Sequence, residues 1–373
     1  NIGFYAASQK AYDKLKNDGK STEDVSIDQA SYRFELYLNK AFEDGGRAVL
    51  RLRGGDRDFG NLGLGIFRGS VNDQSFWQSP DHDAIIIREL YFTQPLFDKI
   101  AYFKIGKMQP PTSSNNALNS VGSFFTDDAT VQNVDGILGS YGIEIGATPI
   151  PLITLSYTYL GQDTPVASNS NVTKGPFSYG YHTFLANFKP IAKGNYRVGF
   201  WASAIKRQLL DNRTVTLNAS DRTPVIYDDP DDTEYDGSSG IYISIDQVVA
   251  DNFTLGLRFG QRLDKTAGLG AAQPGMAWDL GGTISGKLWS RGLDSFFLGV
   301  GQATYQKDYY GPDANVPDPE LHLEVNYVFA FNDSFSLTPF FQYASNISPF
   351  VNDKNDWEYQ TGMAYGLRTQ IKF

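Results

Sequence analysis

The chain has 373 residues, no cysteine and a formal net charge of −10, from 32 Lys plus Arg against 42 Asp plus Glu. Without cysteine there is no disulfide framework and no thiolate metal site, and the acidic balance disfavours a nucleic-acid partner. Aromatics make up 14% of the residues and 37 are glycine, and no run of about eighteen apolar residues exists to form a transmembrane helix.

This profile suits strands, short turns and aromatic girdles better than a helical core. A mean hydropathy of −0.33 does not argue against a membrane, because barrel strands alternate lipid-facing and water-facing residues and the average hides both. Asn1 opens the chain without a basic-apolar signal segment, so a mature, processed polypeptide is expected.

The first strand is expected over Asn1 to Ser8. In the second, Arg33, Glu35, Tyr37 and Asn39 fall on one face and Phe34, Leu36 and Leu38 on the other. A helix would mix these sets, whereas a strand separates them. After the turn Glu43-Asp44-Gly45-Gly46, Arg47, Val49, Arg51 and Arg53 oppose Ala48, Leu50 and Leu52. The same grammar of strand, long link, strand and tight turn continues along the chain. Tight turns are expected near 97–99, 149–151, 193–195, 250–252, 290–292 and 331–333. Long links are expected over roughly 10–26, 57–82, 109–135, 163–175, 209–237, 266–274, 306–318 and 348–357.

Late in the chain, Leu321, Leu323, Val325, Tyr327 and Phe329 oppose Glu320, His322, Glu324 and Asn326. The final strand, Glu358 to Phe373, sets Leu367, Thr369, Ile371 and Phe373 against Arg368, Gln370 and Lys372. A terminal aromatic on an amphipathic last strand resembles the insertion signal of outer-membrane barrels, which assigns that role to Phe373. The expected fold is all-β: one transmembrane antiparallel β-barrel of about sixteen strands over 1–373, with short periplasmic turns and long extracellular loops. Pairing of the first and last strands would leave no backbone donor exposed to lipid.

Four passages resemble the carbohydrate-selective porin (OprB-like) family. Gly240 to Gln247 looks like its glycine-to-S-x-D-Q strand, and Leu255 to Gly260, with Arg258, like the strand that follows. Gly281-Gly282 through Trp289, Arg291 and Asp294 is similar to its GG…G..W.R..D hairpin. Glu320 to Tyr327 with Leu337 to Tyr343 is similar to its E…E..Y … L.P..QY hairpin, although Phe340 stands in an acidic position of that pattern. The resemblance covers roughly Gly240 to Phe373. It implies passive diffusion of sugars or other small polar solutes across a Gram-negative outer membrane, no catalysis and no cofactor. Lipid, lipopolysaccharide and the solutes are the expected partners, and assembly is left open between monomer and homotrimer.

Selectivity in such a channel comes from bore, charge and hydrogen-bonding groups at its narrowest point. The basic candidates for the lining are Arg33, Arg51, Arg53, Lys104, Arg197, Arg258 and Arg368. The acidic ones are Glu35, Glu89, Glu144, Asp246, Asp279 and Glu324. Against that role stands a plain structural one, in which each charge only pairs across strands. Arg51 and Arg53, joined by Lys104, are the expected constriction group. Tyr37, Tyr91 and Trp201 are expected to stack on sugar C–H faces, with Arg and carboxylate groups matching hydroxyl pairs. The segment 109–135 is the candidate pore-constricting loop, with an extracellular lid as the alternative. Tyr157, Tyr159, Phe200, Tyr327, Tyr365 and Phe373 are expected in interfacial girdles.

The other readings are an anion- or phosphate-preferring channel, motivated by Arg33, Arg51 and Arg53, and a plugged-barrel enzyme or adhesin. His82, His182 and His322 are widely spread and form no catalytic spacing. The acidic run holding Asp228, Asp229, Asp231 and Asp232 reads as a solvated loop, with a divalent-cation site as the sharper reading. It lacks the EF-hand spacing and its closing Glu.

Overall fold

The computed structural model describes residues 2–12, 25–55, 85–109, 118, 140–161, 180–208, 214–217, 224–227, 235–264, 274–305, 316–351 and 357–373. Its strands are β1 (Ile2–Tyr12), β2 (Val25–Ala41), β3 (Arg47–Gly55), β4 (Ile86–Leu96), β5 (Ala101–Met108), β6 (Ser140–Ile150), β7 (Ile153–Gly161), β8 (Gly180–Phe188) and β9 (Gly194–Gln208). There follow β10 (Thr214–Leu217), β11 (Pro224–Tyr227), β12 (Tyr235–Ala250), β13 (Phe253–Arg262), β14 (Pro274–Ser285), β15 (Ser295–Tyr305), β16 (Glu320–Ala330), β17 (Phe335–Val351) and β18 (Trp357–Ile371).

Sixteen of these, β1–β9 and β12–β18, form one closed antiparallel barrel. Each pairs with its neighbour in the chain, β9 pairs with β12, and β18 closes on β1 in a register running from Ile2↔Ile371 to Tyr12↔Thr361. Closure satisfies every edge, as a sheet needs where no water is present to bond a free N–H.

The two faces are inverted relative to a water-soluble sandwich. Ile143 and Ile145 are exposed while Glu144 between them is buried; Leu280 is exposed beside buried Asp279, and Phe341 beside buried Gln342. The outward set is apolar, and the inward set carries the charges together with a buried aromatic and apolar cluster. That arrangement is stable when the surroundings are hydrocarbon and the interior holds water or hydrogen-bonding partners. The period of two therefore decides the fold: a one-residue slip in any strand would put its charges into lipid.

The tight turns all lie at one end, where β1 starts and β18 stops. Phe97, Asp98 and Lys99 turn with φ of 50°, 53° and 71°. The link before β15 is a short 3-10 turn, Gly286–Trp289, capped by Ser285 and closed by Ser290 in the left-handed region. Several element limits differ from the sequence expectation. β1 runs on to Tyr12 and β2 starts at Val25, both inside the expected link 10–26. β18 spans Trp357–Ile371 rather than reaching Phe373, and the expected link 209–237 contains the separate hairpin β10–β11. Pairing extends wherever a partner strand is present, and single-strand alternation does not report that.

Candidate functional site

On the inner face of β2–β4 the cross-strand rows are Glu35↔Arg53 and Tyr37↔Arg51↔Glu89. Arg51 lies 2.9 Å from Glu35 and 3.6 Å from Glu89, and Arg53 lies 2.6 Å from Glu35. A bulge between Arg51 and Leu52 lets Glu89 stand beside Arg51. The two guanidiniums and two carboxylates thus balance one another, and all four side chains remain partly accessible.

The next row toward the turn end is Asn39↔Val49↔Tyr91, and the one beyond it runs Ala41↔Arg47↔Thr93↔Lys104↔Glu144. Arg47 donates from Nε to Asn39 at 2.6 Å and from Nη2 to the Tyr37 hydroxyl at 3.3 Å. The Lys104 ammonium sits 4.2 Å from the centre of the Tyr91 ring. Although Lys104 and Glu144 are register partners, Glu144 instead accepts from the Tyr102 hydroxyl at 2.8 Å and from Thr158 at 3.3 Å.

The opposite inner wall is covered. Arg258 grips Asp279 with Nε at 3.0 Å and Nη2 at 2.8 Å, and the pair is buried. Arg197 and Asn195 hold Asp246 at 2.6 and 2.7 Å. Glu324 accepts from Asn326 and Gln342 at 2.7 and 2.9 Å. Such bidentate and multiply bonded carboxylates are the arrangement in which a buried charge is tolerated. Arg368 shares a row with Thr338.

Trp201, on β9 beside this wall, is covered as well, in a cluster that reaches Met108 on β5 and Tyr91 on β4. It is 1% exposed, clustered with Met108, Leu160, Tyr181 and Tyr242, and lies flat over Gly240, where a Cβ would fall 2.6 Å from its ring. The expected sugar-stacking role of Trp201 is therefore corrected to packing, because no ring face is free. Leu118 is buried against this wall too, its Cδ2 filling the space a Cβ on Gly281 would take, 2.7 Å away. Of the segment 109–135, Gln109 and Leu118 are described. Arg33 is described by its backbone alone, in register with Gly3 and Gly55, and Asp228, Asp229, Asp231 and Asp232 lie outside the described residues.

Sequence reasoning passed over Arg47, Asn39 and Tyr102 as lining candidates. Alternation had put Arg47 and Asn39 on the faces of Arg51 and Tyr37, so the signal was present. Tyr102 was hidden because only the pairing of β5 with β6 brings it to Glu144. The hairpin motif around Trp289 turns out to be a turn clasp. Asp294 accepts from Arg291 at 2.5 Å, from the Tyr327 hydroxyl at 2.7 Å and from the Ala330 amide at 3.0 Å, while Trp289 donates to Tyr327 at 2.7 Å. The Arg291 hydrogen bond holds the Asp294 carboxyl below the usual carboxylate range. Gln247 works similarly, donating to the carbonyls of Ala192 and Val248.

A closed sixteen-strand barrel, apolar outside and polar within, defines an outer-membrane channel protein. Residues 71–373 match the family model "Carbohydrate-selective porin, OprB family", and the chain belongs to that family. No curated protein matches the chain. Among solved structures, the high-pH structure of Pseudomonas putida OprB is 13% identical with a TM-score of 0.71, covering 100% of this chain and 93% of that one. The outer-membrane channel DcaP of Acinetobacter baumannii is 13% identical with a TM-score of 0.56, covering 99% and 96%. Salmonella typhi OmpF in complex with daunomycin is 10% identical with a TM-score of 0.56, covering 99% and 97%. The chain is thus a non-enzymatic channel of the Gram-negative outer membrane that passes small solutes.

Proposed function

We propose that the solutes are carbohydrates and other small polar molecules, and that they travel along the β2–β5 side of the lumen. The single observation that carries this reading is the asymmetry of the inner wall. Glu35, Arg51, Arg53 and Glu89 keep accessible surface, whereas Asp279, Glu324 and Gln342 across the barrel have none. Arg51 and Arg53 with Glu35 and Glu89 form the selective group: planar donors and paired acceptors that match vicinal hydroxyls. Segment 109–135 narrows the bore in this reading, which is supported by Leu118 against Gly281 on the inner wall. The homotrimer and the lipopolysaccharide contact are part of the same proposal, and native mass spectrometry in detergent reads both.

Planar-bilayer recording tests it. Open-channel current reduced by neutral sugars, with weak ion selectivity, is the expected result. Arg51→Glu should shift the reversal potential in a salt gradient toward cations without loss of folded channels. A purified barrel that never conducts would overturn the reading. The anion-preferring alternative is favoured by Arg47 and Lys104, neither of which has a carboxylate partner among the described residues. Strong anion selectivity without sugar block would establish it instead.

A further inference from the structure

The inner wall of β2–β5 carries two groups of charge that differ in balance. In the Arg51–Arg53 group, cations and carboxylates are equal in number and bonded to one another. One to two rows nearer the turn end the balance is lost. Among the described residues Arg47 bonds to the neutral Asn39 and Tyr37, and Lys104 rests on the face of Tyr91. The nearest carboxylates are already engaged, Glu89 by Arg51 and Glu144 by Tyr102 and Thr158. Two positive charges therefore face a partly accessible lumen with no counter-ion among the described residues. Register puts them two strands apart in one row, about 10 Å between backbones, with Tyr91 on the strand between them.

Tyr37 is half exposed, at 49%. Its hydroxyl accepts from Arg47. Its ring gives a flat apolar face, and Asn39 beside it is exposed. A stacking ring beside one uncompensated cation, with a second two strands further along that cation's row, has the chemistry to hold a ring-shaped solute that carries a carboxylate.

We propose that Tyr37, Tyr91, Arg47 and Lys104 form a subsite for acidic monosaccharides, the hexuronate class, on the turn-end side of the Arg51–Arg53 group. The pyranose ring stacks on Tyr37, and the carboxylate lies between the Arg47 guanidinium and the Lys104 ammonium. This inference rests on the reading of the chain as a sugar-passing channel and adds a charge preference to it.

The test is single-channel recording of the full-length protein in planar bilayers, with glucuronate, glucose and inorganic phosphate as probes. Glucuronate should bind tightest, as the current block at lowest concentration. Arg47→Gln and Lys104→Gln should each weaken glucuronate block about three- to fivefold, as expected for charge pairs open to water, and weaken glucose block by a smaller factor. Tyr37→Leu should weaken block by both sugars and not by phosphate. Equal block by glucose and glucuronate would overturn the subsite, and so would phosphate block as strong as glucuronate block, since the ring would then contribute nothing. Conductance without any such preference sinks this inference alone, whereas absence of conductance sinks the channel reading beneath it.

Discussion

Gly106 shows how tightly single positions are specified in this wall. Its φ is 132°, and a Cβ there would lie 2.3 Å from the Leu90 carbonyl oxygen. Neither the backbone angle nor the space admits a side chain, so Gly106→Ala should cost about 1–3 kcal/mol, read as a lower urea midpoint for the vesicle-inserted barrel. Asp294 carries a pH dependence. Its folded carboxyl is held below the ordinary range by Arg291, so its contribution is fully present above the ordinary carboxylate pKa and is lost as pH falls through the depressed folded value. Melting in detergent should show this acid-side loss, and Asp294→Asn should lower stability at neutral pH and flatten that part of the profile. Tyr37 and Trp201 mark the limit of reading residues from sequence. Both alternate onto the inner face, yet one is half exposed and the other fully covered, because coverage is set by what packs against them from elsewhere in the chain.

At the scale of strands and turns, alternation alone assigns the outward set. Leu298 is exposed between buried Phe297 and Gly299 on β15, on the lipid face. Leu298→Arg should destabilise the barrel in lipid-vesicle unfolding, and Leu36→Arg should cost roughly 2–4 kcal/mol at bilayer-midplane depth. Unchanged stability of both would reverse the face assignment. Two features of this scale had no sequence signal. The bulge between Arg51 and Leu52 appears only once β3 and β4 are paired, because it is a mismatch of two strands rather than a property of either. The hairpin β10–β11 lies in a stretch read as a link, since four-residue strands are too short for period-two patterning to register. Conversely, the motifs around Gln247 and Asp294 were visible as residue patterns, but their role as fasteners of turns became evident only with their backbone partners.

For the whole molecule, closure of β1 on β18 removes every edge of the barrel and encloses a lumen whose two sides differ. Leu118 against Gly281 supports the proposed narrowing of the bore by segment 109–135. Gly281→Val would put methyl groups where the Leu118 side chain now sits, so single-channel conductance should change while the barrel still folds. Conductance identical to wild type would count against that loop's part in the bore. By itself the sequence determined the strand period, the apolar and polar faces and the single end that carries the tight turns, because each depends on residues within a few positions of one another. Only the tertiary structure decided which inward charges are buried pairs and which still meet water. That outcome depends on contacts between segments as distant as 118 and 281, and a local pattern holds no record of them.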